Sequence, residues 1–223
     1  AGQSEAWMEI EKDMEDTRPM QRLLQGDVGS GKTVVATLSL VKTVESGFQG
    51  AFMVPTEILA QQHFETLSHF FKGLGIQVAL LTQNVAKKEK EAILEKLRNG
   101  TISVVIGTHS LIQETVSFQS LGLVITDEQH RFGVNQRKLL QQKGNFPDML
   151  VMTATPIPRT LALTVYGDLD ISTSTTMPEG RKEIRTFVRG EASRRKVYQF
   201  ALDQIKKGKQ IYVVAPAIEE NIE

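Results

Sequence analysis

Leu23-Leu24-Gln25-Gly26-Asp27-Val28-Gly29-Ser30-Gly31-Lys32-Thr33 decides the fold of this 223-residue chain. Gly26, Gly31, Lys32 and Thr33 satisfy the spacing Gly-x-x-x-x-Gly-Lys-[Ser/Thr] of a phosphate-binding loop. A short apolar run precedes the glycines, and residues 34–44 repeat apolar side chains at helical spacing, so strand, loop and helix come in the required order. Gly26, Gly29 and Gly31 admit the positive φ angles and close approach that a β-carbon would block. Backbone N–H groups from Gly26 to Thr33, those of Asp27, Val28 and Ser30 included, can then wrap a polyphosphate at a helix N-terminus, where the dipole favours an anion. In such a site Lys32 reaches the β- and γ-phosphates and the Thr33 hydroxyl ligates Mg²⁺. The competing reading, a glycine-rich structural turn, leaves the flanking strand and helix unexplained.

Composition sets outer bounds. A hydrophobic content of 40%, a charged content of 23% and 17 glycines describe an ordinary globular protein. Net charge is zero, so no global basic field announces nucleic acid, although one cleft can still be basic. The chain has no cysteine, which excludes disulfides and thiolate metal sites and fits a reducing compartment. Its four histidines lack metal-site spacing. No apolar stretch has the length of a membrane span and the start has no signal-peptide pattern, so cytoplasm is the expectation and no membrane partner is foreseen.

Along the chain, residues 5–16 read as an amphipathic helix, and residues 51–54 as a strand covered on both faces and stopped by Pro55. Thr56 is a reasonable N-cap for the helix that follows. Residues 78–81 read as a strand, 87–98 as a charged helix with Ile93, Leu94 and Leu97 inward, and 102–106, 121–125 and 149–152 as further strands. Helices long enough to cross over separate most of them. An α/β fold follows, a parallel sheet with helices on both faces.

After Gly167 the composition changes. Residues 168–182 are rich in threonine and serine, carry Pro178 and Gly180, and read as a linker between a domain over 1–167 and the incomplete start of a second over 183–223. Within the second, residues 184–188 and 210–214 read as strands flanking a helix over 192–205.

The chemistry needs a second cluster. An apolar strand ending in Asp127-Glu128 supplies a carboxylate for Mg²⁺, Asp127, and another, Glu128, to orient the attacking water. The bland alternative is two acids facing solvent at a strand end. Gln129 and His130 complete Asp-Glu-Gln-His, and a lone histidine is more often a hydrogen-bonded core residue than a catalyst.

Taken together, these motifs resemble those of superfamily 2 helicases and, in detail, of the RecG branch-migration helicases, over nearly the whole chain. Gly26 to Thr33 is similar to helicase motif I, Val-Pro-Thr-Glu-Ile-Leu-Ala-Gln-Gln-His at 54–63 to motif Ia, and Gly107-Thr108-His109 to motif Ib. Asp127 to His130 resembles motif II, and Gln129 with Arg131-Phe132-Gly133-Val134 favours RecG over the transcription-repair coupling factor, where glutamate usually replaces the glutamine. Residues 153–160, Thr-Ala-Thr-Pro-Ile-Pro-Arg-Thr, resemble motif III, and residues 210–220 the opening of motif IV.

This resemblance implies RecA-like domains and an ATP-dependent DNA helicase that remodels stalled forks and Holliday junctions in recombination and repair. Lys32, Asp127, Glu128, Gln129 and His130 would be its catalytic residues, and Gln3 would stand for the adenine-reading glutamine. Thr153 and Thr155 would couple the γ-phosphate to the DNA cleft, while Thr56, Gln61, Thr108 and His109 would hold the phosphodiester backbone. Thr56 is equally explained as an N-cap alone. The expected partner is branched or duplex DNA, met by a monomer in the bacterial cytoplasm and nucleoid-associated when bound. Arginine fingers of this superfamily come from motif VI, beyond Glu223, so the chain alone is expected to bind nucleotide and hydrolyse it poorly. Two rival functions stay open, a coupling-factor translocase and a nucleotide-dependent binding module that does no mechanical work.

Overall fold

The computed structural model describes residues 2–127, 139–155, 169–174 and 186–215. The chain divides into two compact units, Ala1–Glu179 and Gly180–Glu223.

In the first unit α1 (Gly2–Met14) precedes β1 (Gln21–Gly26) and α2 (Lys32–Glu45). Next come β2 (Gln49–Met53), α3 (Glu57–Phe71), β3 (Val78–Leu81), α4 (Lys87–Arg98) and β4 (Val104–Gly107). β5 (Leu121–Asp127), β6 (Asp148–Thr153) and β7 (Asp170–Ser174) complete the sheet. Among the described residues it has seven strands in the order β3-β4-β2-β5-β6-β1-β7, and every neighbouring pair is parallel.

Parallel strands covered on both faces must be apolar at successive positions, and β2 and β4 are buried throughout. Alternation divides their side chains between two cores. On one face Leu24, Phe52, Ile106, Ile125 and Leu150 pack with Ile10 of α1, Leu40 of α2 and Leu67 and Phe71 of α3. On the other, Ala51, Met53, Val105 and Val124 pack with Ile93 and Leu97 of α4. The fold is the expected parallel α/β sheet with helices on both faces, of the RecA-like kind.

Register aligns the strand ends. Gln25 lies beside Thr153, Gly26 beside Ser174, Asp127 beside Met152, and Met53 between Gly107 and Thr126. Loops after β1, β2, β4, β5 and β6 therefore leave along one edge, the carboxyl edge where open α/β sheets bind ligands.

At the opposite edge Asp148 accepts the Met20 N–H at 2.6 Å, and the Met149 N–H meets the Met20 carbonyl at 2.8 Å, which fixes β1 beside β6. Burial pushes the Asp148 carboxyl above its ordinary range, with the Met20 bond opposing and Asp13 reinforcing the shift. A carboxyl raised in the folded state costs stability as pH climbs from its unfolded pKa through its folded one, and the loss persists at neutral pH. Asp148→Asn keeps an acceptor for Met20 and removes the buried charge. Its unfolding midpoint in urea should exceed wild type at pH 7, and the advantage should shrink toward pH 4.

The stretch from Asp168 read as a linker, yet Asp170–Ser174 is β7, paired along β1. Ile171 packs against the cluster of Leu23, Met149 and Val151, while Ser172 and Ser174 are buried through hydroxyl bonds rather than apolar contact. Residues 175–182 of that stretch lie outside the described residues.

In the second unit a short 3-10 turn, Glu191–Ser193, leads into α5 (Arg194–Lys206). Neither strand foreseen around this helix is observed among the described residues, 186–188 and 210–214. A strand needs a neighbouring backbone. Val188, Val213 and Val214 are about nine-tenths, four-fifths and nine-tenths exposed and α5 has no buried residue, so within this unit these segments pair with no strand among the described residues. Residues 184 and 185 lie outside the described residues.

Candidate functional site

The phosphate loop joins β1 to α2. Gly29 and Gly31 hold φ at 82° and 87°, a left-handed region costly for other residues. Gly26 is needed for a different reason, since a Cβ there would lie 2.5 Å from Ser30 Oγ and 2.8 Å from the Ser174 carbonyl. Lys32 Nζ donates to the carbonyls of Gly26 at 2.7 Å and Asp27 at 3.0 Å, which centres the ammonium over the loop. Two amides expected to face an anion are engaged within the loop. Val28 N–H donates to the Asp27 carboxylate at 2.7 Å and Ser30 N–H to the Asp27 carbonyl at 3.1 Å. The apex, residues 27–29, is exposed while Ser30 is buried.

Behind the loop stands a support that the sequence does not announce. The Ser30 carbonyl accepts two hydrogen bonds, from Gln3 Nε2 at 2.9 Å and from Ser174 Oγ at 3.0 Å. Gln3 belongs to α1 and Ser174 to β7, and both elements are tied to β1 by Arg22, which is nine-tenths buried. Arg22 donates to Asp13 at 2.7 Å, to Glu9 at 3.3 Å and to Ser172 at 2.9 Å, and Ser172 Oγ donates to Glu9. Gln3 therefore touches the loop itself, packed over Gly31. Serines in a threonine-rich stretch give no periodic signal, so Ser172 and Ser174 escape a reading of the sequence alone.

Asp127 ends β5, two strands from β1 with β6 between them. At about 4.8 Å per strand this separates the carboxylate's strand from the phosphate loop by roughly 10 Å. His63 of α3 approaches Asp127, Nε2 to Oδ2 3.4 Å, with both side chains largely buried. Thr153, at the end of the intervening β6, is buried and its hydroxyl accepts the Thr155 N–H at 3.1 Å. Glu128, Gln129 and His130, with residues 131–134 and 156–160, lie outside the described residues.

The residues expected to hold DNA leave the far half of the same edge. Thr56 caps α3, its hydroxyl accepting Leu59 N–H at 3.3 Å, so its N-cap role is realised. Gln61 is exposed and donates to Glu65 at 2.8 Å. Thr108 is 2% exposed and its hydroxyl has no hydrogen-bond partner among the described residues. An inward hydroxyl cannot grip a phosphodiester, which leaves the exposed His109 beside it. His109 Nε2 lies 2.7 Å from the amide nitrogen of Gln83, whose backbone N–H donates to Glu57 at 3.1 Å. The loops after β3 and β4 are thereby joined to the start of α3, with Gln83 an addition that no motif marked.

This donor set fits a magnesium-bound nucleoside triphosphate. A glycine turn with an ammonium above it and a helix N-terminus below suits a polyphosphate, and the oxygens of Thr33 and Asp127 suit a hard cation. Among the described residues no cluster of three histidines, cysteines or carboxylates offers an alternative metal site, and no helix is long and apolar enough to cross a membrane.

Comparison with known proteins agrees with this geometry. The family model described as DEAD/DEAH box helicase matches residues 1–164. The ATP-dependent DNA helicase RecG of Aquifex aeolicus (strain VF5) is 52% identical over 98% of this chain and 28% of its own length. That of Bacillus subtilis (strain 168) is 52% identical over 98% of this chain and 32% of its own. A solved structure of RecG bound to a three-way DNA junction superposes with a TM-score of 0.83 at 52% identity, covering 98% of this chain and 29% of that one. The chain thus spans about a third or less of these relatives. A phosphate loop, a strand-end aspartate and a family match over the whole of that sheet's first six strands lead to one assignment: the chain belongs to the DEAD/DEAH box helicase family.

Proposed function

We propose that the protein is an ATP-driven DNA motor of the RecG kind, acting on forks and junctions in a bacterial cytoplasm. The supporting observation is that the phosphate loop, Asp127 and the exposed turn at His109 leave one sheet edge, in a chain 52% identical to RecG proteins over almost its full extent. In this reading Lys32 holds the β- and γ-phosphate oxygens of ATP, and the backbone of residues 26–33 cradles them. Thr33 and Asp127 hold Mg²⁺, which when bound neutralises charge developing on the phosphates. Glu128 orients the attacking water, and Gln129 and His130 complete the catalytic set. Gln3 steadies the loop through Ser30 and, in this reading, also reads the adenine. Thr153 and Thr155 carry the phosphate state toward the DNA face, where Gln61, His109 and the backbone at Thr56 and Thr108 meet phosphodiester oxygens without reading bases.

The test is ATP turnover by the full-length protein with no DNA, with linear duplex and with a model fork. Turnover should be strongest with the fork, by about tenfold or more over no DNA, which corresponds to about 1.4 kcal/mol or more of added transition-state stabilisation. Equal turnover in all three would reject the motor reading.

A further inference from the structure

We propose that His63 is a positioning residue that ties helix α3, on the DNA side, to Asp127, on the nucleotide side. The inference rests on the motor reading above and adds a physical route between its two sites.

His63 occupies a confined place. Its imidazole lies against Phe52 of β2, ring centroids 4.7 Å apart and tilted by 44°, while Nε2 points to Asp127 Oδ2 at 3.4 Å. The side chains of His63 and Asp127 are 13% and 14% exposed, so neither is a screened surface group. Along α3, His63 lies between buried Ala60 and buried Leu67, about two turns in from the capped start at Thr56. Two of the residues that would meet DNA, Thr56 at its cap and Gln61, thus share one helix with the residue that approaches Asp127.

The separation makes the contact responsive. At 3.4 Å it lies just beyond the 2.7–3.2 Å range of good N–H···O bonds. Helix shifts of about 1–2 Å are usual in switching proteins. A movement of that size along the Nε2 to Oδ2 line closes the contact to a full hydrogen bond or breaks it. Either outcome changes how the Asp127 carboxylate is held, and hence how it presents oxygen to a cation. Phe52 prevents the imidazole from swinging aside, so displacement of α3 is carried to the carboxylate rather than absorbed by a rotamer change. No change in protonation is required, because a neutral imidazole with its proton on Nε2 can still donate to a carboxylate.

The experiment measures linkage by binding, apart from turnover. In the full-length protein, the affinity for a fluorescent ADP analogue with Mg²⁺ is measured with and without a model fork, for wild type, His63→Phe and His63→Gln. Phenylalanine keeps the packing on Phe52 and removes the nitrogen; glutamine keeps an N–H donor. Wild type should show a fork-dependent change in affinity, within the range of about 5- to 150-fold found for coupled sites. His63→Phe should bring that ratio to within about twofold of unity, and His63→Gln should retain most of it. His63→Leu gives the same comparison if phenylalanine does not fit. A wild-type ratio preserved in His63→Phe or His63→Leu overturns the inference while leaving the motor reading intact. Absence of any fork effect on wild-type affinity also overturns the inference, and the motor reading is then judged by the turnover comparison alone.

Discussion

Lys32→Ala in the full-length protein is expected to lower ATP turnover by about 10²–10³-fold, the loss that follows removal of one preorganised charge stabiliser. Lys32 Nζ is held 2.7 Å from the Gly26 carbonyl and 3.0 Å from that of Asp27, so its position over the loop is set before any ligand arrives. A charge fixed in advance needs no reorganisation when negative charge develops on the transferred phosphoryl group. Alanine removes that charge and leaves the fold untouched, because the lysine is part-exposed and packs in neither core. Its unfolding transition should match wild type. Lys32→Arg should rescue little, since a planar fork cannot sit where the compact ammonium does. The check is steady-state turnover with fork DNA alongside a thermal melt; near-wild-type turnover would exclude Lys32 from phosphate binding.

Gly31→Val should be comparably damaging for a backbone reason. Gly31 has φ of 87°, and a Cβ there would run into the side-chain amide of Gln3. A β-branched residue in this region costs about 1–3 kcal/mol, and displacing Gln3 forfeits a further ~1 kcal/mol from its bond to Ser30. The loop would relax into another shape, weakening nucleotide affinity by about 100-fold at a cost near 2.8 kcal/mol. Gly73 provides the contrast. Its added Cβ meets nothing within 4 Å and its φ is ordinary, so Gly73→Ala should leave affinity unchanged. Fluorescent nucleotide titration of both variants makes the comparison, and equal affinities would show that loop conformation does not govern binding.

The parts of this protein legible in its sequence are those where chemistry or burial restricts residue type. Gly26 to Thr33 could be read because a polyphosphate cradle demands glycine and lysine at fixed intervals. Val78–Leu81 and Lys87–Arg98 appear in the structure with the bounds read from periodicity, because one is apolar on a covered sheet and the other charged around Ile93 and Leu97. β7 could not be read so, since its two buried serines satisfy hydroxyls instead of burying hydrocarbon. Residues 210–214 mislead in the opposite direction. Their apolar pattern is that of a strand, but pattern alone supplies no neighbouring backbone. His63 falls within the motif at residues 54–63, yet its contact with Asp127 depends on β2 lying beside β5, a neighbourhood set by sheet order.

The most direct test of the site is the Mg²⁺ dependence of nucleotide affinity, measured with a non-hydrolysable ATP analogue for wild type and Asp127→Asn. If Thr33 and Asp127 together hold the cation beside the phosphates in the loop, wild-type affinity should rise steeply with Mg²⁺, and Asp127→Asn should need about tenfold or more Mg²⁺ for the same rise, some 1.4 kcal/mol of lost coordination. An unchanged Mg²⁺ dependence in Asp127→Asn would contradict the pairing of the β5 carboxylate with the phosphate loop.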